Sequence, residues 1–175
     1  MTRKKIAEFE EAYIIESDSL IFDKLLALPE VLSADTVFAY FSMGREVDTR
    51  KFISFWLSKG NQLALPIING YNLEFALVDT PLDLIEGPYG IPSPSPGAKR
   101  VSPSPNDAVL VPALCYDESL FRLGKGGGYY DRFLAECPAV SIGLCRDRLI
   151  FPELPLEIYD IPVSLLVSEN RKRGP

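Results

Sequence analysis

The residues best suited to chemistry lie in one glycine-rich segment, 122–132, with the sequence RLGKGGGYYDR. Its members are Arg122, Leu123, Gly124, Lys125, Gly126, Gly127, Gly128, Tyr129, Tyr130, Asp131 and Arg132. The four glycines permit positive φ angles and let backbone N–H groups approach an anion that side chains would obstruct. The three cations add positive charge, and Asp131 supplies the oxygen ligand that Mg²⁺ takes beside a polyphosphate. The segment therefore predicts a cradle for the phosphates of a nucleoside triphosphate.

Neither common phosphate-binding fingerprint is present in this loop. There is no GxxxxGK[ST], and the spacing GxGxxG fails because Tyr129 stands at the third glycine position. On composition alone, the loop is equally typical of a flexible strand-to-helix connection with solvated Lys and Arg side chains. Both interpretations stay open at this point.

The rest of the composition limits which groups can do chemistry. The chain has no histidine, which excludes Ser-His and Cys-His pairs and imidazole metal sites. Cys115, Cys137 and Cys145 lack CxxC spacing, and we interpret them as reduced core thiols. Chemistry must therefore come from carboxylates, Lys, Arg, Tyr, backbone amides and bound cations.

The loop must be positioned by the elements on either side of it. The continuously apolar run 108–114 predicts a central strand, followed by a short connection containing Asp117 and Glu118. After the glycines, residues 129–136 (YYDRFLAE) predict a helix whose first-turn N–H groups and dipole favour negative charge. A strand, a glycine loop and a helix in this order place the phosphate site at the end of a sheet.

The other patterns predict an α/β domain with a mostly parallel sheet flanked by helices. We expect two N-terminal helices in 4–28 that break near 17–19, and a tail RKRGP that is frayed. We expect the proline-rich stretch 81–105 to wrap the domain as one long loop without regular ladders. Further strands are predicted at 36–41, 62–68, 72–78, 138–144 and 161–167, with an Asn69-Gly70 hairpin turn and a helix from Thr49 to Lys59-Gly60.

Charge and hydropathy exclude several classes of partner. The net charge of -6 disfavours nucleic acid and anionic membranes. The apolar runs are strand-sized, and the N-terminus lacks the features of a signal peptide. We therefore expect a cytoplasmic protein that binds neither nucleic acid nor membranes.

The segment RLGKGGGYYDR closely resembles the signature of the 5-formyltetrahydrofolate cyclo-ligases, also called methenyltetrahydrofolate synthetases. The resemblance extends to AYFSMGREVDT at 39–49, LALP at 63–66, GIPSP at 90–94 and VLVPALCYDESLFRLG at 109–124. It implies a single three-layer α/β/α domain over 1–175. It also implies a monomer that binds ATP, Mg²⁺ and 5-formyltetrahydrofolate, polyglutamylated or not.

The resemblance implies an activity and a set of site residues. ATP phosphorylates the formyl oxygen, N-10 of the folate attacks the activated carbon, and loss of phosphate leaves 5,10-methenyltetrahydrofolate. The catalytic residues would be Lys125 and Arg122. ATP would be bound by Arg122, Leu123, Gly124, Lys125, Gly126, Gly127, Gly128, Tyr129 and Tyr130. The folate would be bound by Phe41, Glu46, Tyr89, Lys125 and Tyr129, and Mg²⁺ by Asp131.

Several of these residues also fit a purely structural role. Without the resemblance, Glu46 also fits a solvated loop carboxylate. The resemblance implies instead that Glu46 accepts hydrogen bonds from pterin N–H groups. Phe41 ends a buried strand and fits the core as well as it fits a ring-stacking role. One of the paired tyrosines, Tyr129 or Tyr130, could be a helix residue packed on the sheet.

The chain departs from the family pattern at three places. Family members usually begin with a basic KxxLR-like helix, and the part of this chain that would match it would lie upstream of Met1. Ser164 stands where the family usually has an Asp associated with Mg²⁺, with Tyr159 nearby in place of His, and Ser93 replaces Glu or Gln. Two alternatives stay open. One is a catalytically impaired or N-terminally truncated folate- or nucleotide-binding paralogue. The other is an unrelated phosphate-ligand enzyme such as a sugar-phosphate isomerase, with Asp117, Glu118 and Asp131 as its acid/base candidates.

Overall fold

The computed structural model describes residues 2–87 and 90–174. The α-helices of these ranges are α1 (Thr2–Ala7), α2 (Glu11–Leu26), α3 (Pro29–Leu32), α4 (Arg50–Ser58) and α5 (Tyr129–Glu136). The strands are β1 (Thr36–Phe38), β2 (Gln62–Asn69), β3 (Asn72–Val78), β4 (Leu84–Glu86), β5 (Pro92–Pro94), β6 (Arg100–Val101), β7 (Ala108–Val111), β8 (Cys115–Asp117), β9 (Arg122–Leu123), β10 (Val140–Leu144), β11 (Ile150–Phe151), β12 (Leu165–Val167) and β13 (Lys172–Arg173). Short 3₁₀ turns cover Pro81–Asp83 and Asp147–Leu149.

A central eight-stranded sheet has the order β13-β12-β10-β7-β1-β2-β3-β6. The five strands from β12 to β2 are parallel, and antiparallel pairing occurs only at its two sides, where β13 joins β12 and β3 lies between β2 and β6. All four residues of β7 are buried, as expected for a continuously apolar strand in the middle of a sheet. The prediction of a mostly parallel sheet is confirmed.

Helices cover both faces of this sheet, which gives three layers. Alternate strand residues belong to two separate core clusters, because successive side chains point to opposite faces. Val37 packs in the cluster that contains residues of α2, α3 and α4, whereas its neighbour Phe38 packs in the cluster with residues of α5 and the end of α1. The predicted α/β/α architecture is therefore confirmed.

The predicted break in the N-terminal helices is wrong in position. The chain leaves the helix at residues 8–10, and α2 then runs without interruption through 17–19. Ser17 does not end the helix because its hydroxyl donates to the carbonyl of Ile14, 3.0 Å away, on the preceding turn. Serines satisfied in this way are tolerated inside a helix.

The proline-rich stretch is more regular than we predicted. β4 pairs with β5, and β6 joins the edge of the central sheet, so the expectation of no ladders is wrong. Pro92 and Pro94 are the first and last residues of β5, which belongs to a separate two-stranded sheet. Proline has no N–H group to donate, and this is tolerated because β5 is an edge strand. The stretch therefore forms a hairpin and an edge strand.

The C-terminal tail is held rather than frayed, which corrects a second prediction. β13 pairs antiparallel with β12, and all three cations of the tail are in ion pairs. Arg171 contacts Asp147 at 2.6 Å, Lys172 contacts Glu30 at 3.0 Å, and Arg173 contacts Glu118. The connection before the glycine loop is also ordered, since β8 lies between β9 and β11 in a small sheet.

Most of the remaining predictions about local structure are confirmed, but several strands are shorter than predicted. Among these are Thr36–Phe38 within 36–41, Ala108–Val111 within 108–114 and Leu165–Val167 within 161–167. Thr49 directly precedes α4, which stops at Lys59 and Gly60, where φ is +75°. Asn69 pairs with Asn72 across the β2–β3 turn. Cys115, Cys137 and Cys145 are free thiols.

In the described part of the chain, none of the helices has the length and apolar character needed to cross a membrane.

Candidate active site

The glycine loop adopts backbone conformations that require glycine. Gly126 has φ +91° and Gly128 has φ +63°, both in the left-handed region that side chains disfavour. A Cβ at Gly127 would lie 2.8 Å from the Tyr129 ring, whereas one at Gly124 would meet no described atom within 4 Å. The loop thus needs glycine for its shape at three positions, and the space at Gly124 is open to a ligand.

The far side of the loop is tied to the β2–β3 turn. The Arg132 guanidinium donates to the carbonyl of Tyr71 at 2.7 Å and to that of Gly127 at 3.1 Å. The Tyr129 hydroxyl donates to the carbonyl of Gly70 at 3.3 Å. Arg132 was expected to add charge for phosphates and Tyr129 to face ligands, but in the structure both side chains anchor the loop to the hairpin.

Arg122 and Asp131 contact each other. The Arg122 side chain is only 4% exposed, and its Nη2 lies 2.6 Å from Asp131 Oδ1. Arg122 Nη1 donates to the carbonyl of Ile161 at 2.6 Å, and the N–H of Ile161 donates to the same Asp131 oxygen at 3.3 Å. These bonds join the start of the loop, the first turn of α5 and the segment before β12, and they leave Asp131 Oδ2 outside both contacts.

A cavity of about 230 Å³ brings together two of the predicted residues. It is lined by Arg3 and Ile6 of α1, by residues 43 and 45–47, by Ala113 and Leu114 after β7, by Lys125, and by residues 144–146 and 149. Lys125 Nζ lies 2.7 Å from Glu46 Oε1, although the residues are far apart in sequence. The Lys125 side chain is 58% exposed and that of Glu46 is 12% exposed. The cavity thus holds an exposed cation next to a largely buried carboxylate.

Glu46 is fixed by the turn on which it lies. Gly44 has φ +55°, and the Glu46 N–H donates to the carbonyl of Met43 at 3.1 Å. The Met43 N–H donates in return to Glu46 Oε2 at 2.9 Å. One carboxylate oxygen therefore braces the turn, and the other faces Lys125.

Tyr130, which packs against one of the two core clusters, carries a buried hydroxyl donor. Its hydroxyl is fully buried and has no hydrogen-bond partner among the described residues. Burial raises the pKa of Tyr130, and the negative charge of Glu46 raises it further, so the phenol stays protonated. An unpaired buried hydroxyl costs free energy, which a ligand carrying an acceptor would recover.

Of the other two residues predicted to bind folate, Phe41 does not line the cavity. Phe41 is half-buried and packs against the core cluster on the α2–α4 face, as its structural alternative predicted. Tyr89 lies outside the described residues.

A preformed metal site is not present within residues 2–87 and 90–174, where no three His, Cys, Asp or Glu side chains are grouped to hold an ion. Ser164 hydrogen-bonds to Ser141, with 3.1 Å between the hydroxyl oxygens. The loop offers one carboxylate oxygen outside the contacts with Arg122 and Ile161, namely Asp131 Oδ2. That is sufficient for an ion that takes most of its ligands from phosphates and water.

Sequence reasoning missed Arg146, which lies two residues after the end of β10. Its side chain is 1% exposed, and its guanidinium contacts Ser17, Asp18 and the backbone of residues 45 and 46. The sequence gives no signal for this role, because the position of an arginine within a fold decides whether its charge is buried.

The model of the 5-formyltetrahydrofolate cyclo-ligase family matches residues 1–169. The chain belongs to this family. Among curated relatives, the 5-formyltetrahydrofolate cyclo-ligase of Escherichia coli K12 is 29% identical over 155 residues, covering 85% of each chain. The probable 5-formyltetrahydrofolate cyclo-ligase of Schizosaccharomyces pombe is 26% identical, covering 91% of this chain and 87% of its own.

Solved structures agree with this membership. The 5,10-methenyltetrahydrofolate synthetase of Aquifex aeolicus is 32% identical and superposes with a TM-score of 0.87, covering 99% of this chain and 88% of its own. The synthetase of Mycoplasma pneumoniae is 19% identical with a TM-score of 0.76, covering 96% and 94%, and supports the fold alone. The cyclo-ligase resemblance of the glycine loop therefore extends to the whole described fold.

Proposed function

We propose that the chain catalyses the ATP-dependent cyclisation of 5-formyltetrahydrofolate to 5,10-methenyltetrahydrofolate, with release of ADP and phosphate. The observation that carries this proposal is the contact between Lys125 of the glycine loop and Glu46 in one cavity of a cyclo-ligase family member. A phosphate-binding cation and a carboxylate suited to a pterin are thereby adjacent, as a transfer between two bound substrates requires.

The ATP phosphates would lie on the glycine loop. Its backbone N–H groups, the first turn of α5 and the amine of Lys125 provide positive potential for them. Gly124 offers the open approach, since even an added methyl group there would meet no described atom. Arg122 would support phosphate binding mainly by holding the loop in place, because its guanidinium already donates to Asp131 and to the carbonyl of Ile161.

Mg²⁺ would accompany the triphosphate, with Asp131 Oδ2 as its protein ligand. The ion supplies neutralisation of phosphate charge when it is bound. The Arg122 contact orients Asp131 for this purpose, because its Nη2 lies 2.6 Å from Oδ1 and leaves Oδ2 free of that contact.

The folate would lie with its pterin ring against Glu46, whose carboxylate accepts hydrogen bonds from the guanidine-like N–H edge. The formyl oxygen would then attack the γ-phosphorus as the bond to ADP breaks. N-10 would attack the activated carbon and release its proton to solvent, and phosphate would leave with the former formyl oxygen. Lys125 would stabilise the charge that develops on the transferred group. The buried Tyr130 hydroxyl is available as a further donor.

One observation favours a second candidate, a paralogue that binds these ligands but turns them over poorly. Ser164 is paired with Ser141 where the family resemblance places a metal-associated carboxylate. The isomerase alternative is disfavoured by contrast. Asp117 accepts the N–H groups of Ser119, Phe121 and Leu154, and Glu118 pairs with arginines, so neither is available for acid/base chemistry at the cavity.

The test is the near-ultraviolet absorbance of the methenyl product after mixing protein, 5-formyltetrahydrofolate and MgATP, with an ATP-free control. We expect an ATP-dependent rise. Lys125→Ala should slow it by roughly 10²-fold, the usual effect of removing one charge-stabilising donor. Lys99→Ala, a change at an exposed lysine that does not line the cavity, is the matched control. If folded wild-type protein binds both ligands but gives no rise in absorbance, the proposal of a binding paralogue is supported instead. If Lys125→Ala turns over as fast as wild type, the proposed role of Lys125 in charge stabilisation is contradicted.

A further inference from the structure

A buried arginine links the Glu46 turn to a distant helix. Arg146 Nη1 donates to the carbonyl of Arg45 at 2.8 Å, and Nη2 reaches the carbonyl of Glu46 at 3.4 Å. Its Nε donates to the Ser17 hydroxyl at 3.0 Å, and Nη2 pairs with Asp18. A guanidinium presents five donors in a rigid fork, so all of these contacts are made at once from a single side chain.

A second arginine anchors the same turn. Arg146 holds the carbonyls of residues 45 and 46. The Arg45 side chain adds a further anchor, because its Nη1 donates to the carbonyl of Phe9 at 2.7 Å.

We propose that Arg146, together with Asp18, is a positioning residue that sets the place of the Glu46 carboxylate for folate binding. The inference rests on the proposed function, in which Glu46 accepts hydrogen bonds from the pterin. Arg146 is itself 1% exposed and touches the backbone of Glu46, so it acts through that residue.

A buried charge must be fully paired, and the charge of Arg146 is paired in part by the turn that it positions. Isolated burial of a guanidinium is strongly unfavourable, so any movement of residues 45–46 leaves its donors unsatisfied. The turn is therefore restrained by a side chain that has no low-cost alternative arrangement. A carboxylate on a restrained turn binds without first losing conformational freedom, which improves affinity.

The test is a double-mutant cycle with Arg146→Lys and Glu46→Gln, read out by steady-state kinetics on both substrates. Lysine keeps the positive charge beside Asp18 but cannot fork to two carbonyls. We expect the KM for 5-formyltetrahydrofolate to rise on the order of tenfold, since small misplacements of binding groups have large effects. We expect the KM for ATP to change by less than about twofold. In the Glu46→Gln background, Arg146→Lys should have almost no further effect on the folate KM, because both changes remove the same interaction.

Controls separate positioning from a general loss of structure. Arg148→Lys changes a neighbouring exposed arginine, which lies over the Tyr13 ring, and should leave both KM values unchanged. Asp18→Asn provides a second route if Arg146→Lys does not fold, and it should also raise the folate KM selectively. Thermal unfolding of each variant shows whether it is folded at the assay temperature.

Two results would overturn the inference: equal rises in both KM values, or a folate effect of Arg146→Lys that is the same with and without Glu46. Failure of the proposed function looks different, because wild-type protein would then show no turnover. In that case, the same cycle is measured on 5-formyltetrahydrofolate binding by calorimetry, where additive effects or absence of binding would also overturn the role of Arg146.

Discussion

Replacing Glu46 by Gln is the sharpest test of the site, because the change keeps the shape of the side chain and removes only its charge. The amide oxygen can still accept the N–H of Met43, now at 2.9 Å from Oε2, so the turn should persist. What is lost is the contact with Lys125 and the charged acceptor for the pterin.

The two losses differ in size. The lysine is 58% exposed, so the ion pair should contribute about 0–1 kcal/mol to the free energy of unfolding. For a chain of this size that corresponds to a fall in Tm of less than about 4 °C. A hydrogen bond to a charged group is worth about 1.5–3 kcal/mol, so the Kd for 5-formyltetrahydrofolate should rise roughly 10- to 150-fold. Release of Lys125 should change the Kd for ATP by no more than about fivefold.

The assay is calorimetric titration of each ligand alone, with Tm measured in parallel. Glu74→Gln is the matched control, because Glu74 pairs with Arg100 at 3.3 Å on an exposed face and lines no part of the cavity. That variant should leave both Kd values unchanged. Equal losses of folate and ATP affinity in Glu46→Gln would refute the pterin role, and a large fall in Tm would show that the carboxylate serves the fold instead.

Two further predictions concern the loop and the acid stability of the chain. Gly124→Ala should raise the Kd for ATP, because the methyl group would obstruct the phosphates, and should leave Tm unchanged, because it meets no described atom. Gly97→Ala, where a methyl group is equally unobstructed, is the control and should change neither quantity. An unchanged Kd for ATP in Gly124→Ala would contradict a phosphate approach at Gly124. Hydrogen bonds from Arg171 hold the pKa of Asp147 below its ordinary 3.8. The stability that wild type has over Asp147→Asn should thus be fully present above that value and disappear as the pH falls through the lowered pKa. Urea unfolding from pH 7 down to about pH 2 measures it, and a gap that is independent of pH would contradict the prediction.

The features of the site that the sequence predicted are those encoded locally. The glycine loop and the helix after it were predictable because positive φ and helical periodicity are written in consecutive residues. Lys125 and Glu46 could be placed in one site only through the family resemblance, since nothing local relates residues so far apart. Membership of the cyclo-ligase family and the α/β/α fold are confirmed by the comparisons and by the sheet.

What the sequence could not show is which charges neutralise each other. Arg122 and Asp131 were both expected to face a ligand, yet they pair with each other at 2.6 Å. Arg132 was expected at the phosphates and instead contacts the hairpin. Such pairings depend on distances between segments, which composition and spacing do not contain. A cytoplasmic location, a monomeric state, a single domain and the role of Tyr89 stay predictions.

The anchors between the glycine loop and the β2–β3 turn have a consequence for how this chain can vary. Arg132 and Tyr129 donate to the carbonyl oxygens of Tyr71 and Gly70, which are main-chain atoms that every amino acid carries. A change of side chain in the turn therefore leaves both acceptors in place, provided that the turn keeps its length and the positive φ of Gly70. Variation at position 71 should be silent for the loop, and pairs of positions that change together across a family would not reveal the contact. An insertion in the turn, by contrast, would shift both acceptors at once and loosen the phosphate loop from a distance.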